Sequence, residues 1–194
     1  MVSYRSRSSP YILYLCVYKK EIPGNSFPYG EDKYRWAWIR GSSERTVLDG
    51  RMFSSSEIQT TDDGSKAVIV QEEAGMQHRA GLFLRVAVAD LKEDSIAAVD
   101  GLLACEDLVG ELPYPDHPDL NYIAKTFETL NDPSTGPSPA DLFEKFIEDW
   151  EYVRTVCTLY VETREMTGQY DEEGWDAEDK PLRTWNLVKG EERP

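Results

Sequence analysis

Tyr11-Ile12-Leu13-Tyr14-Leu15-Cys16-Val17-Tyr18 is an unbroken apolar run rich in strand formers. Without polar alternation, such a run predicts a strand buried on both faces at the centre of a sheet. A second strand is predicted from Lys33 to Ile39, where alternation sends Tyr34, Trp36 and Trp38 to one face and Arg35, Ala37 and Ile39 to the other. The connection from Lys19 to Asp32 holds turn chemistry in Pro23-Gly24-Asn25 and Pro28-Tyr29-Gly30. Weaker strand patterns follow at Val47 to Phe53 and Ala67 to Gln71, and a stronger one at Leu82 to Val88.

Beyond Asp90 the apolar spacing changes from two to three or four. Asp90 and Glu93 have capping-box spacing ahead of a stripe of Ile96, Val99 and Leu103. A second helix is predicted from Asp119, carrying Leu120, Ile123, Phe127 and Leu130. A third opens at Ser138-Pro139 and runs to about Met166, with Phe143, Phe146, Trp150, Val153, Cys157 and Tyr160 down one side. Strands first and helices later predict an α+β fold, an antiparallel sheet from the N-terminal half packed by about three helices from the C-terminal half. The 194 residues suit one domain. Residues 1–9 read as a flexible polar start, and residues 167–194 as an irregular acidic tail that docks through Trp185.

The composition, 40% apolar and 11% aromatic, is that of a globular chain. A formal charge of −15 disfavours nucleic acid, whose phosphates are bound through Lys and Arg, and equally an anionic membrane surface. Thirteen acidic and four basic residues lie between Asp141 and Lys180, a solvated face or a docking surface for a basic partner. Arg5 and Arg7 before Pro10 to Tyr18 have the outline of a signal peptide, but no small-residue cleavage site follows. No apolar run approaches the ~20 residues that span a bilayer. The expectation is a soluble cytoplasmic protein, monomer or homodimer.

Chemistry-bearing motifs are sparse. Cys16, Cys105 and Cys157 are odd in number and far apart, which predicts buried free thiols rather than a disulfide framework or zinc ligands. Cys105 is followed by Glu106 and Asp107, charges that oppose a thiolate. His78 lies in a connecting segment. His117, in Pro115-Asp116-His117-Pro118-Asp119, has no further histidine to complete a usual metal site, and Asp119 reads as a helix cap. No glycine-rich loop leads a strand into a helix, so a phosphate cradle is missing. No cofactor and no metal are expected.

Tyr34-Arg35-Trp36-Ala37-Trp38, with the first strand before it and the ending Thr167-Gly168-Gln169-Tyr170 and Thr184-Trp185-Asn186-Leu187-Val188-Lys189-Gly190, resembles an uncharacterised family of fungal proteins. That family's pattern is a Tyr-His-Trp-Ala strand, a helix opening with Asn-Cys and a closing Thr-Trp-Asp segment. The pattern itself is similar to a permuted papain-like layout, as in the lecithin retinol acyltransferase and cell-wall peptidase groups, where a strand histidine serves a thiol at a helix N-terminus. The matching positions here are Arg35 and Tyr122, the latter in Leu120-Asn121-Tyr122-Ile123. Arginine stays protonated to above pH ~12 and a phenol of pKa ~10 is a poor nucleophile, so the resemblance implies a lost thiol dyad.

Two functions remain open on that resemblance. In one, Arg35, Asn121 and Tyr122 line a pocket that holds an anionic or carbonyl group of a small organic metabolite. The protein is then a noncovalent cyclase or isomerase, with Tyr34, Trp36, Trp38, His78 and His117 as substrate-binding candidates. In the other it only binds, using its acidic helical side, with Glu144, Glu148 and Glu151, for a basic protein partner.

Overall fold

The apolar run Tyr11 to Tyr18 forms β1 (Tyr11–Lys19), and β1 lies inside the sheet with antiparallel neighbours on both edges, β2 (Tyr34–Ser42) and β5 (Leu82–Leu91). This computed structural model describes residues 11–19, 34–42, 50–60, 62, 66–74, 82–105, 113–114, 117–134, 136–166 and 184–193. The remaining strands are β3 (Gly50–Thr60), β4 (Lys66–Ala74), β6 (Phe143–Phe146), β7 (Thr184–Asn186) and β8 (Glu191–Arg193). They make one eight-stranded sheet in the order β4-β3-β2-β1-β5-β7-β8, with β6 also on β5. All pairs are antiparallel except β5 with β7. That parallel pair follows from a long helical return between them.

The helices are α1 (Ile96–Leu103), preceded by the 3-10 turn Glu93–Ser95, then α2 (Pro118–Asn131), the short α3 (Pro139–Leu142) and α4 (Trp150–Met166). One sheet face, with Leu15, Val17, Trp36, Trp38 and Val86, shares a core with Ile123 and Phe127 of α2 and Val153 and Cys157 of α4. The other face carries a smaller cluster of Ile12, Tyr14, Cys16, Ile39 and Ala87. Apolar burial on both sides is why β1 has no polar alternation.

Helix α2 is tied to β2 by polar bonds as well. The Asp119 carboxylate accepts the Trp36 backbone N–H at 2.8 Å, and Trp38 Nε1 donates to Thr126 Oγ1 at 2.7 Å. The β2 to β3 ladder begins only at Ala37, so at Trp36 the helix carboxylate stands where a strand carbonyl would. Asp119 is thus a docking group inside the first turn and not the expected cap.

Two boundary expectations are corrected. Asp90 belongs to β5, opposite Ile12, and the helical turn after it starts from Lys92 without a side-chain cap. The helix expected from Ser138 to Met166 is broken: Ser138 and Asp141 do form a capping box, but α3 ends at Leu142 and β6 follows. The outer edge of β5 needs backbone partners. It finds them here, in the pairings Leu91 to Phe143 and Ala89 to Phe146, with Ile147 N–H donating to Val88 C=O at 3.0 Å. The irregularity between Asp90 and Leu91 sets four β6 residues against three of β5. Phe143 and Phe146 therefore fall on one face, stacked at 4.6 Å. Their three-residue spacing imitates a helix.

Candidate functional site

The residues singled out from the sequence separate in space. Tyr34, Trp36 and Trp38 all join the helix-side core and are fully buried, so they pack rather than wall an open pocket. Tyr34 also donates to Glu165 Oε2 at 2.9 Å, pinning the far end of α4. Arg35, between them on β2, faces the opposite side, where it is exposed and reaches Ser54 Oγ at 3.5 Å. Tyr122 is in the helix-side core. The sheet therefore lies between Arg35 and Tyr122.

Tyr122 and Asn121 each have local structural partners. The Tyr122 hydroxyl donates to the Leu103 carbonyl at 2.8 Å, and burial holds its phenol well above the ordinary range. Asn121 accepts from Tyr114 N–H at 2.8 Å and returns its amide to the Tyr114 carbonyl, bracing that segment against α2. His117 precedes α2, its carbonyl accepting Asn121 N–H. His78 lies outside the described residues.

Burial raises the Cys16 thiol from an ordinary 9.0 to about 12 and pushes Cys157 up as well. A raised thiol keeps its proton in the folded state while the unfolded chain releases it, so each group contributes stability that is lost as pH rises above 9.0. The slope approaches ~1.4 kcal/mol per pH unit per thiol. Urea midpoints should fall above pH 9, less steeply in Cys16→Ala, and iodoacetamide at pH 8 should label Cys16 and Cys157 only after unfolding. Equal labelling of native and unfolded protein would contradict this burial.

A different constellation is brought together at the junction of α2, α4 and the Pro113-Tyr114 segment. A groove of about 520 Å³ is lined by the rings of Tyr114, Phe127 and Trp150 and the carboxylates of Glu128, Glu148 and Glu151, with Pro113, Ala124 and Asn131 completing the wall. The rings are locked from behind: Phe127 lies 5.3 Å from Trp150 and 5.2 Å from Trp38, and Trp150 meets Trp36 edge-on at 6.3 Å. Trp150 Nε1 donates to Tyr114 Oη at 3.3 Å, and Tyr114 donates in turn to Glu151 Oε1 at 3.1 Å. Burial raises the Tyr114 phenol above its ordinary value, outweighing the lowering by Trp150 and Arg154, so it remains a donor at neutral pH. Asn131 bridges the carbonyls of Phe127 and Glu148 at 3.0 and 3.1 Å. Asp149 caps α4 by accepting Tyr152 N–H at 2.9 Å, which fixes where Trp150 and Glu151 point.

Two cations of the chain already sit at the rim. Arg154 bonds Glu151 at 2.8 Å while its guanidinium carbon lies 5.5 Å from the centre of the Tyr114 ring, and Lys125 pairs with Glu128 at 2.8 Å. Glu148 and Glu151 were expected on one helical face with Glu144; Glu144 instead lies on β6 and does not line the groove. The aromatic wall was missed because Phe127 and Trp150 read as core positions. The available signal was Tyr114, an aromatic held on a proline-stiffened segment beside α2.

Among the described residues no helix is long and apolar enough to cross a membrane, and no three His, Cys, Asp or Glu side chains gather as a metal site requires. No curated protein and no solved structure matches the chain. A family of unknown function, DUF6914, does match it over residues 11–193, from β1 through β8. The chain belongs to that family.

Proposed function

We propose that this protein is a noncovalent binding protein whose groove takes the cationic head of a small organic ammonium compound. The observation that carries the reading is the lining: three fixed aromatic rings and three carboxylates around about 520 Å³, a size within the range of small-molecule sites. Aromatic faces attract cations through their quadrupoles, best when the cation sheds water. Carboxylates at the rim add attraction that salt weakens. Arg154, placed over Tyr114 and against Glu151, is a guanidinium of the chain already held by the same two kinds of group.

Binding is favoured over cyclase or isomerase chemistry. Rings and carboxylates can also steady a cationic intermediate, but such an intermediate needs water excluded, and Glu128 and Glu151 at this groove keep 66% and 63% of their side-chain surface exposed. A stable ammonium group tolerates that water. The same chemistry on a partner protein, a lysine or methylated lysine side chain, is the second source of the ligand.

Titration with tetramethylammonium, followed by NMR at the Trp150 indole N–H and, in all variants, at the backbone amides of the groove residues Glu128 and Glu151, is expected to saturate in the millimolar range. Trp150→Ala should weaken it about tenfold or more, and Glu148→Gln with Glu151→Gln a few-fold with reduced salt dependence. A trimethyllysine peptide binding much more tightly than tetramethylammonium would assign the ligand to a protein. No response of Trp150 to either probe would end the proposal.

A further inference from the structure

Arg85 stands in β5 between β1 and β7, and only 4% of it is exposed. Leu84 and Val86 on either side belong to the helix-side core, so alternation turns Arg85 to the other face. There its guanidinium carbon lies 4.5 Å from the centre of the Tyr14 ring, and its Nε donates to Thr184 Oγ1 at 2.9 Å. These contacts orient the fork without neutralising it. Among the described residues no carboxylate bonds Arg85; the ion pairs are made by Arg40, Arg51, Lys125 and Arg154. A buried guanidinium is ordinarily matched by an anion, and a chain with 36 acidic residues has no shortage of them.

A second arginine faces the same way. Arg35 is exposed, and among the described residues its hydrogen bond is the long 3.5 Å contact to Ser54. The register links the two: Arg35 is directly opposite Tyr18 on β1, and Arg85 is directly opposite Cys16, two residues back. Both guanidinium charges act on the Tyr18 phenol, with Glu73 the one carboxylate acting against them. Two cations thus converge around one tyrosine on the face away from the helices.

We propose that this face is an oxyanion site, in which the terminal nitrogens of Arg85 hold a carboxylate or phosphate group of a small anionic ligand and Arg35 closes over it from the rim. The planar fork suits two oxygens of either group, while Tyr14 and Thr184 keep it aimed before the ligand arrives. The site is separate from the groove of α2 and α4, which lies beyond the sheet, and stands whether or not that groove binds cations.

The test compares melting temperatures in sodium phosphate, sodium acetate and sodium chloride at matched ionic strength. Wild type should melt at least about 3 °C higher in phosphate or in acetate than in chloride, and the better of the two names the ligand group. Arg85→Met should show no such difference and should melt no lower than wild type in chloride, because it removes a buried charge that has no internal partner. Arg35→Ala, at an exposed position, should keep the chloride value and lose part of the response. Three results would each overturn the proposal: no wild-type difference in either anion, an equal difference in Arg85→Met, or an Arg85→Met protein melting well below wild type in chloride, which would reveal a counter-charge within the chain.

Discussion

Asp100→Ala is expected to lower unfolding free energy by about 3–5 kcal/mol, the cost of removing one partner from a buried ion pair. Asp100 lies on α1 with its carboxylate turned to the sheet, accepting from Arg40 Nε at 2.6 Å and Nη2 at 3.1 Å and from Arg51 Nη1 at 3.2 Å. Arg40 and Arg51 are directly opposite each other on β2 and β3, a placement that repels without an anion between them. The Asp100 and Arg40 side chains keep only 12% and 14% exposure, so water replaces little of what is lost. Urea denaturation followed by circular dichroism measures the change. Glu72→Ala is the control: its pair with Arg51 is 3.1 Å long but well exposed, and such pairs contribute at most about 1 kcal/mol. A loss below about 1 kcal/mol for Asp100→Ala would mean that α1 is not anchored by this charge.

Phe127→Ala should cost a similar amount, about 3–5 kcal/mol, through lost burial and an unfilled cavity. Phe127 is 1% exposed and touches Trp38 at 5.2 Å, Trp150 at 5.3 Å and Phe146 at 5.7 Å between ring centres, pairs that add to simple burial. Its ring is both the floor of the groove and the joint between β2, β6 and α4. Cation binding and stability should therefore fall together in Phe127→Ala, whereas Trp150→Ala, at a half-buried position, should lose binding with a smaller loss of stability. Retention of stability within about 1 kcal/mol in Phe127→Ala would show that the surrounding rings can collapse into its space.

The elements that read clearly from the chain are those whose pattern has one physical meaning. The run from Tyr11 to Tyr18, rich in strand formers and without polar alternation, reads as a doubly buried strand, and the alternation at Tyr34, Trp36 and Trp38 put those rings on one shared face, which the structure shows to be the helix side. Where a pattern admits two meanings, tertiary contacts chose. Phe143 and Phe146 have helical spacing, yet the open edge of β5 and one irregularity made them a strand. Asp90 and Glu93 have capping-box spacing, yet Asp90 was needed in the ladder. The candidate site was less legible because it depends on residues far apart in the chain. Glu148 and Glu151 were named, but Tyr114 and Phe127 reach them only through the packing of α2 against α4.

By itself the amino-acid sequence determined an acidic α+β chain with most of its sheet in the first half, a central apolar strand and the buried thiols Cys16 and Cys157, since these follow from local periodicity and composition, whereas Cys105, expected to be buried as well, is only half-buried. Only the tertiary structure decided that Arg35 and Tyr122 lie on opposite faces of the sheet, that three rings and three carboxylates meet in one groove, and that Arg85 is buried without a carboxylate partner among the described residues. The reason is physical: strand alternation assigns a face within one strand, but which helix covers that face, and which charges meet across it, is settled by long-range packing.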